Sequence, residues 1–280
     1  MSSVNQITKA LLENGSHANL YESLDCNLDK IRQKIKEKST FQTYIYSYPK
    51  ILAHFSELAS DKYSPSHKED LLIQGILMTY GWMPRIPRLS LNGGTNSIDC
   101  SDIKKNVDFL SSFNHKSKDD VYLILSGSVS DIEKLKKFVD NSLTAVSKIL
   151  HFIRPEDFLI WDSKIQKVLG TRESYKGKDD ILKYIQYISE FKILRETCES
   201  NNRIMGILEE AKKIFQYKIS FARFIELALY VSAEDSSRKE WDEGTKNGPD
   251  RSAQLGHNFV YQETKSHGFY SSYFHQRISS

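Results

Sequence analysis

The chain has 280 residues, 39% hydrophobic and 27% charged, the profile of a folded protein able to bury a sizeable core and not of a disordered one. A formal net charge of +3 permits nucleic-acid binding without requiring it, so local clustering of charge has to decide. Cys26, Cys100 and Cys198 are odd in number, far apart and without paired metal-ligand spacing, which fits reduced thiols. With no signal-like start and no apolar run of membrane-spanning length, the chain is expected to be cytoplasmic and to have no membrane partner.

Helical periodicity dominates from the first residues. Val4 to Glu13 and Leu20 to Glu37 carry apolar residues three to four apart, the second with a charged, solvated face. Thr40 to Tyr46 alternates and predicts a short strand, after which Pro49 fits the first turn of a helix through Leu58. Ser66 to Glu69 reads as a capping box ahead of a nearly all-apolar helix, Leu71 to Tyr80. Further caps, Ser117 with Asp120 and Ser130 with Glu133, open the helices Val121 to Leu125 and Ile132 to Phe138. After the central segment, Asp179 to Cys198, Ile204 to Tyr217 and Phe221 to Val231 are amphipathic. The pattern has neither a fixed repeat nor alternating strands and helices, so an all-α protein of about ten helices is expected. From Asp235 periodicity stops, and 235–280 reads as a poorly ordered polar tail. Its aromatics, Phe259, Tyr261, Phe269, Tyr270, Tyr273 and Phe274, exceed what a pure linker needs.

The most informative stretch is Asn141 to Gly170, NSLTAVSKILHFIRPEDFLIWDSKIQKVLG. Leu143, Val146, Ile149, Leu150 and Ile153 form the buried stripe of a helix whose other face carries Thr144, Lys148 and His151. Arg154-Pro155 ends that helix, and Phe158 to Trp161 delivers Asp162 to the start of the next. Asp162 has two compatible roles. It can cap the helix through the amides of Lys164 or Ile165, and as a fixed carboxylate facing a cleft it can stabilise positive charge developing on a sugar.

The order of an Ala-, Val- and Leu-rich helix, a Pro turn, a hydrophobic tripeptide and then Asp followed by a small and a basic residue resembles the active-site segment of helix-hairpin-helix DNA glycosylases. The resemblance covers about thirty residues and implies a two-lobed helical body over 1–234, with a central lobe at about 100–170. It also implies that Asp162 assists departure of a damaged or modified base. Two features depart from the family. Phe138 to Ser142 replaces the glycine-rich hairpin, and Ser142-Leu143 stands where members with lyase activity carry a lysine. The resemblance therefore implies a monofunctional N-glycosylase with water as nucleophile, acting in repair or against viruses with modified bases. The implied partner is duplex DNA with one flipped nucleotide, bound by a monomer without metal or cofactor. A non-catalytic helical nucleic-acid-binding module and a helical interaction protein, with Asp162 only a cap, are the alternatives.

Around Asp162 the expected DNA contacts are Asn141, Ser142 and Lys148 on the first helix and Ser163, Lys164 and Lys167 on the second, whose N-terminal amides and lysines suit phosphate. The stiff turn Tyr80 to Arg88 adds Arg85 and Arg88 as cations and flat side chains of the kind an extruded base needs. Tyr80, Trp82, His151 and Trp161 are the expected base pocket. Two of them also have a plain structural role open, Trp82 plugging the core at a helix end and His151 as a satisfied buried histidine.

Overall fold

The computed structural model describes residues 5–13, 18–37, 39–83, 100–170, 178–215 and 217–233. The fold is all-α. Its helices are α1 (Gln6–Glu13), α2 (Leu20–Glu37), α3 (Ser39–Leu58), α4 (Pro65–Tyr80), α5 (Cys100–Ser111), α6 (Lys118–Gly127), α7 (Val129–Phe138), α8 (Leu143–Ile153), α9 (Ser163–Val168), α10 (Lys178–Glu199), α11 (Asn202–Ile214) and α12 (221–233). No strand occurs among the described residues. The tail read as poorly ordered, with its aromatics, lies outside them.

The strand expected over Thr40 to Tyr46 is instead part of α3, and Pro49 sits inside that helix rather than at its start. Burial explains the correction: Phe41, Tyr48, Ile51, Phe55 and Leu58 are all in the core at helical spacing, and this outweighs the local alternation and the backbone hydrogen bond that proline cannot donate. Two caps also shift. Ser64, not Ser66, caps α4, because Pro65 suits the first helical position; the Ser64 hydroxyl accepts from the His67 N–H at 3.3 Å. Ser128 rather than Ser130 precedes α7, and its hydroxyl turns back to the Ile124 carbonyl at 2.7 Å. Ser117 caps α6 through the Asp120 N–H, as its spacing indicates.

α1, α2, α10 and α11 pack on one another, and so do α3, α4, α5, α7 and α8; α2 against α3 and α10 against α6 and α7 join the two sets. One continuous core runs through both, within a compact unit spanning Met1–Lys239. α8 is packed against α3, α4 and α7 and is buried from Leu143 to Ile153 apart from Thr144. The polar face expected of it at Lys148 and His151 is therefore not solvated: both are buried among internal partners described below.

The turn after α8 is held by charge. Asp157 is fully buried and accepts from Arg154 Nε at 2.7 Å and from Arg195 Nη1 of α10 at 3.1 Å. Arg154 Nη1 also donates to the carbonyls of Phe113 and Lys116 at 3.0 and 3.1 Å, and Arg195 Nη1 to Glu156 O at 2.6 Å. Ser220, just before α12, donates to Pro155 O at 2.7 Å. One short turn thus ties together the α5–α6 connection, α10 and the approach to α12. Asp157→Asn removes the buried counter-charge of Arg195 and leaves it only the half-exposed Glu199, 3.8 Å from its Nε; a loss of about 3 kcal/mol is expected in urea unfolding, and a change below about 1 kcal/mol would show that the turn is held by packing alone.

Candidate active site

A cavity of about 460 Å³ opens where α3, the end of α4, α8, the start of α9 and α12 meet. Its walls differ in chemistry. Ser142, Thr144, Lys148, Asp162, Ser163, Lys164 and Gln166 bring polar groups from α8 and α9, while Phe41, Tyr44, Ile45, Trp82, Met83, Leu227 and Tyr230 form an aromatic and aliphatic side. Arg223 and Glu226 of α12 close the remainder.

Asp162 is the N-cap of α9, in extended backbone conformation (φ −110°, ψ 172°). Its Oδ1 accepts from the backbone N–H groups of both Lys164 and Ile165, each at 2.9 Å. Both cap bonds thus fall on one oxygen, so the carboxylate is fixed in orientation while Oδ2 takes no part in the cap. Burial raises its pKa above the usual carboxylate value, the Glu226 charge adds to this, and the cap bonds and Lys148 oppose it.

Lys148 is only 7% exposed, and its Nζ donates to the carbonyl of Trp82 at 3.1 Å. Burial pushes its pKa down to about 8, against the pull of Asp162 and Glu226. Glu226 and Arg223, one helical turn apart, form a buried ion pair. The Arg223 guanidinium lies 4.8 Å from the centre of the Tyr48 ring and 5.4 Å from that of Trp82, so α12 is pinned to α3 and to the end of α4. Lys164 Nζ donates to Tyr230 Oη at 2.6 Å and bridges α9 to α12.

The structure sorts the expected residues into three groups. Asp162, Ser163, Lys164, Ser142, Lys148 and Trp82 are brought together at the cavity. Lys148 stands there as a buried side chain, not as the exposed contact to a DNA backbone that its helix suggested. Trp82 packs on Tyr48 and Phe152, donates from Nε1 to Ser47 Oγ at 2.8 Å, and also lines the cavity. Asn141, with left-handed φ of 55°, is exposed in the turn before α8, and Lys167 lies half-buried on α9; neither lines the cavity.

Three members of the expected base pocket are behind the wall. Tyr80 is buried and donates to the Val139 carbonyl at 2.7 Å. Trp161 is buried against Tyr184 and Tyr187. His151 is fully buried, with Nδ1 2.7 Å from Phe158 O and Nε2 2.8 Å from Tyr48 Oη. Because a carbonyl only accepts, Nδ1 carries the proton and Nε2 accepts from the tyrosine. Arg85 and Arg88 lie outside the described residues.

Arg223, Glu226 and Tyr230 escaped the sequence reading. A usable signal existed: two opposite charges one turn apart in the otherwise apolar run FARFIELALYVSA have to be paired internally, and a pair placed at an element's inner face is a candidate site. Among the described residues no group of His, Cys, Asp and Glu side chains is arranged to hold a metal ion, and no helix is long and apolar enough to cross a membrane. Cys26 and Cys198 are free thiols.

Comparison with family models, characterised proteins and solved structures finds no match to this chain. The cavity has to be understood from its own chemistry.

Burial pushes the His151 pKa down to about 3, with the Arg223 charge adding to the effect. The folded state then refuses a proton that the unfolded chain accepts at its ordinary value of about 6.5, so stability is lost as the pH falls below that value. At pH 5 the loss from this group is expected to reach about 2 kcal/mol. Urea unfolding of the parent and of His151→Gln at pH 7 and pH 5 checks it: the variant should show the shallower pH dependence, and equal slopes would remove His151 from the account.

Proposed function

We propose that the protein is a monofunctional DNA N-glycosylase, which takes a nucleotide flipped from duplex DNA into the cavity and cleaves the bond between sugar and base. The observation that carries this is the geometry of Asp162, a carboxylate fixed by two backbone amides through one oxygen at the wall of a cavity. A volume of about 460 Å³ lies within the usual range for sites that enclose a small ligand. The aromatic wall of Phe41, Tyr44 and Trp82 suits a flat base. The resemblance of the 141–170 segment to helix-hairpin-helix glycosylases points the same way.

As the glycosidic bond lengthens, positive charge grows on the sugar. Asp162 stabilises it, and water completes hydrolysis to leave an abasic site and a free base. Preorganisation is what makes this effective, because the cap bonds hold the carboxylate before substrate arrives. Lys164 and the amides at the start of α8, beside the cavity-lining Ser142, supply positive potential for flanking phosphates. The chain acts as a cytoplasmic monomer in repair or in defence against modified viral DNA.

Asp162→Asn keeps size and capping capacity and removes charge. Its stability is expected to change by about 1 kcal/mol or less, while base release from duplex oligonucleotides falls by about two orders of magnitude or more. DNA binding should persist in gel shifts. Equal release by variant and parent would leave Asp162 as a cap only, and binding without release by either protein would make the chain a non-catalytic binding module.

A further inference from the structure

The α12 side of the cavity and the depth of Lys148 are not used by the hydrolysis just described. Lys148 of α8 and Asp162 at the start of α9 line the same cavity, and Lys148 is the more deeply buried of its lysines. Asp162 is at the start of α9, where the sugar of a bound nucleotide would be charge-stabilised. A base attached to that sugar and held against the aromatic wall shares the cavity with Lys148. One N–H of the Lys148 ammonium is occupied by the Trp82 carbonyl, which fixes the direction of the side chain and leaves two N–H groups for other partners.

We propose that Lys148 is the proton donor to the departing base, a further catalytic residue whose role rests on the N-glycosylase reading above. The bond from the sugar carbon to the base nitrogen breaks, its electron pair goes to the base, and a proton from Lys148 Nζ neutralises the base as it leaves. Water adds to the sugar carbon and gives its proton to Asp162. Asp162 then returns that proton to the neutral Lys148 amine, and the net change is hydrolysis, with the base released neutral.

The surroundings of Lys148 suit a group that must give up a proton and regain it. Asp162 on α9 and Glu226 on α12 hold it charged, while burial and Arg223 on α12 favour the neutral amine. Lys164 on α9 and Tyr44 on α3 line the same cavity. Tyr48 on α3 and His151 on α8 are hydrogen-bonded to each other behind it. The resulting value of about 8 keeps the lysine charged at neutral pH with little excess hold on its proton, the condition for efficient general acid catalysis.

The test is single-turnover base release from duplex oligonucleotides carrying one uracil, hypoxanthine, 8-oxoguanine or 5-hydroxymethylcytosine, measured from pH 5 to 10 on whichever is cleaved fastest. For the parent the rate should fall about tenfold per pH unit above about 8, where Lys148 loses its proton, and also at low pH as Asp162 takes one up. Lys148→Arg keeps the positive charge and holds its proton too firmly; a loss of about 100-fold at pH 7, with the alkaline fall abolished, is expected. A variant that keeps the parent rate or the parent alkaline fall overturns the proposal and leaves the glycosylase reading standing. Release of none of the four bases by the parent overturns both. Competitive acetylation of the intact parent, read residue by residue by mass spectrometry, gives the Lys148 titration without any variant; a midpoint above about 10 overturns the proposal whatever the variant does. Borohydride trapping of a Lys148–DNA adduct also overturns it, making the amine a nucleophile.

Discussion

The pairing of Asp157 with two arginines is the constraint on which the rest of the structure depends. Pro155 ends α8, but a proline alone does not choose where the chain goes next. Arg154 and Arg195 make that choice, because a fully buried carboxylate has to stay between them. Phe158 to Trp161 is then led through the core, all four buried, and Asp162 emerges in extended conformation to cap α9. Moving that turn would shift the cap and the cavity wall with it.

A second layer of polar groups inside the core sets the other walls. His151 joins α8 to α3 through Tyr48, Lys148 joins it to the end of α4 through the Trp82 carbonyl, and Ser147 accepts the Trp161 N–H at 2.9 Å. These contacts are directional where apolar packing is not, so they fix the rotation of α8 about its own axis. Buried polar groups of this kind are expensive unless satisfied, and here each has a named partner. The result is a cavity whose charged groups other than Asp162 are carried by helices.

How much of this was legible in the sequence depends on range. Asp162 as a cap, Ser117 as a helix start, and the helix from Leu20 to Glu37 follow from neighbours within four residues, where backbone geometry gives reliable spacing. Pro49 misled because its local preference for a first turn was outweighed by the burial of Tyr48, Ile51 and Phe55 around it. Lys148 misled for a related reason: a polar residue on a helix face implies solvent only when no distant partner exists, and Trp82 is 66 residues away. His151 is the satisfied buried histidine that its helix allowed, with a partner, Tyr48, 103 residues away that no local pattern names. The α12 wall needed the same long-range knowledge, although the paired charges of Arg223 and Glu226 within an apolar run were visible.

The two cap bonds to a single oxygen of Asp162 also bear on how such a chain can change over generations. The cap requires only an acceptor at that atom, a demand that asparagine or serine also meets, while the negative charge acts beyond the cap, on the buried Lys148 and Glu226 nearby. An exchange at this position can therefore spare the start of α9 while changing the electrostatics of the cavity, so the helical frame and the charge at its wall are free to diverge separately.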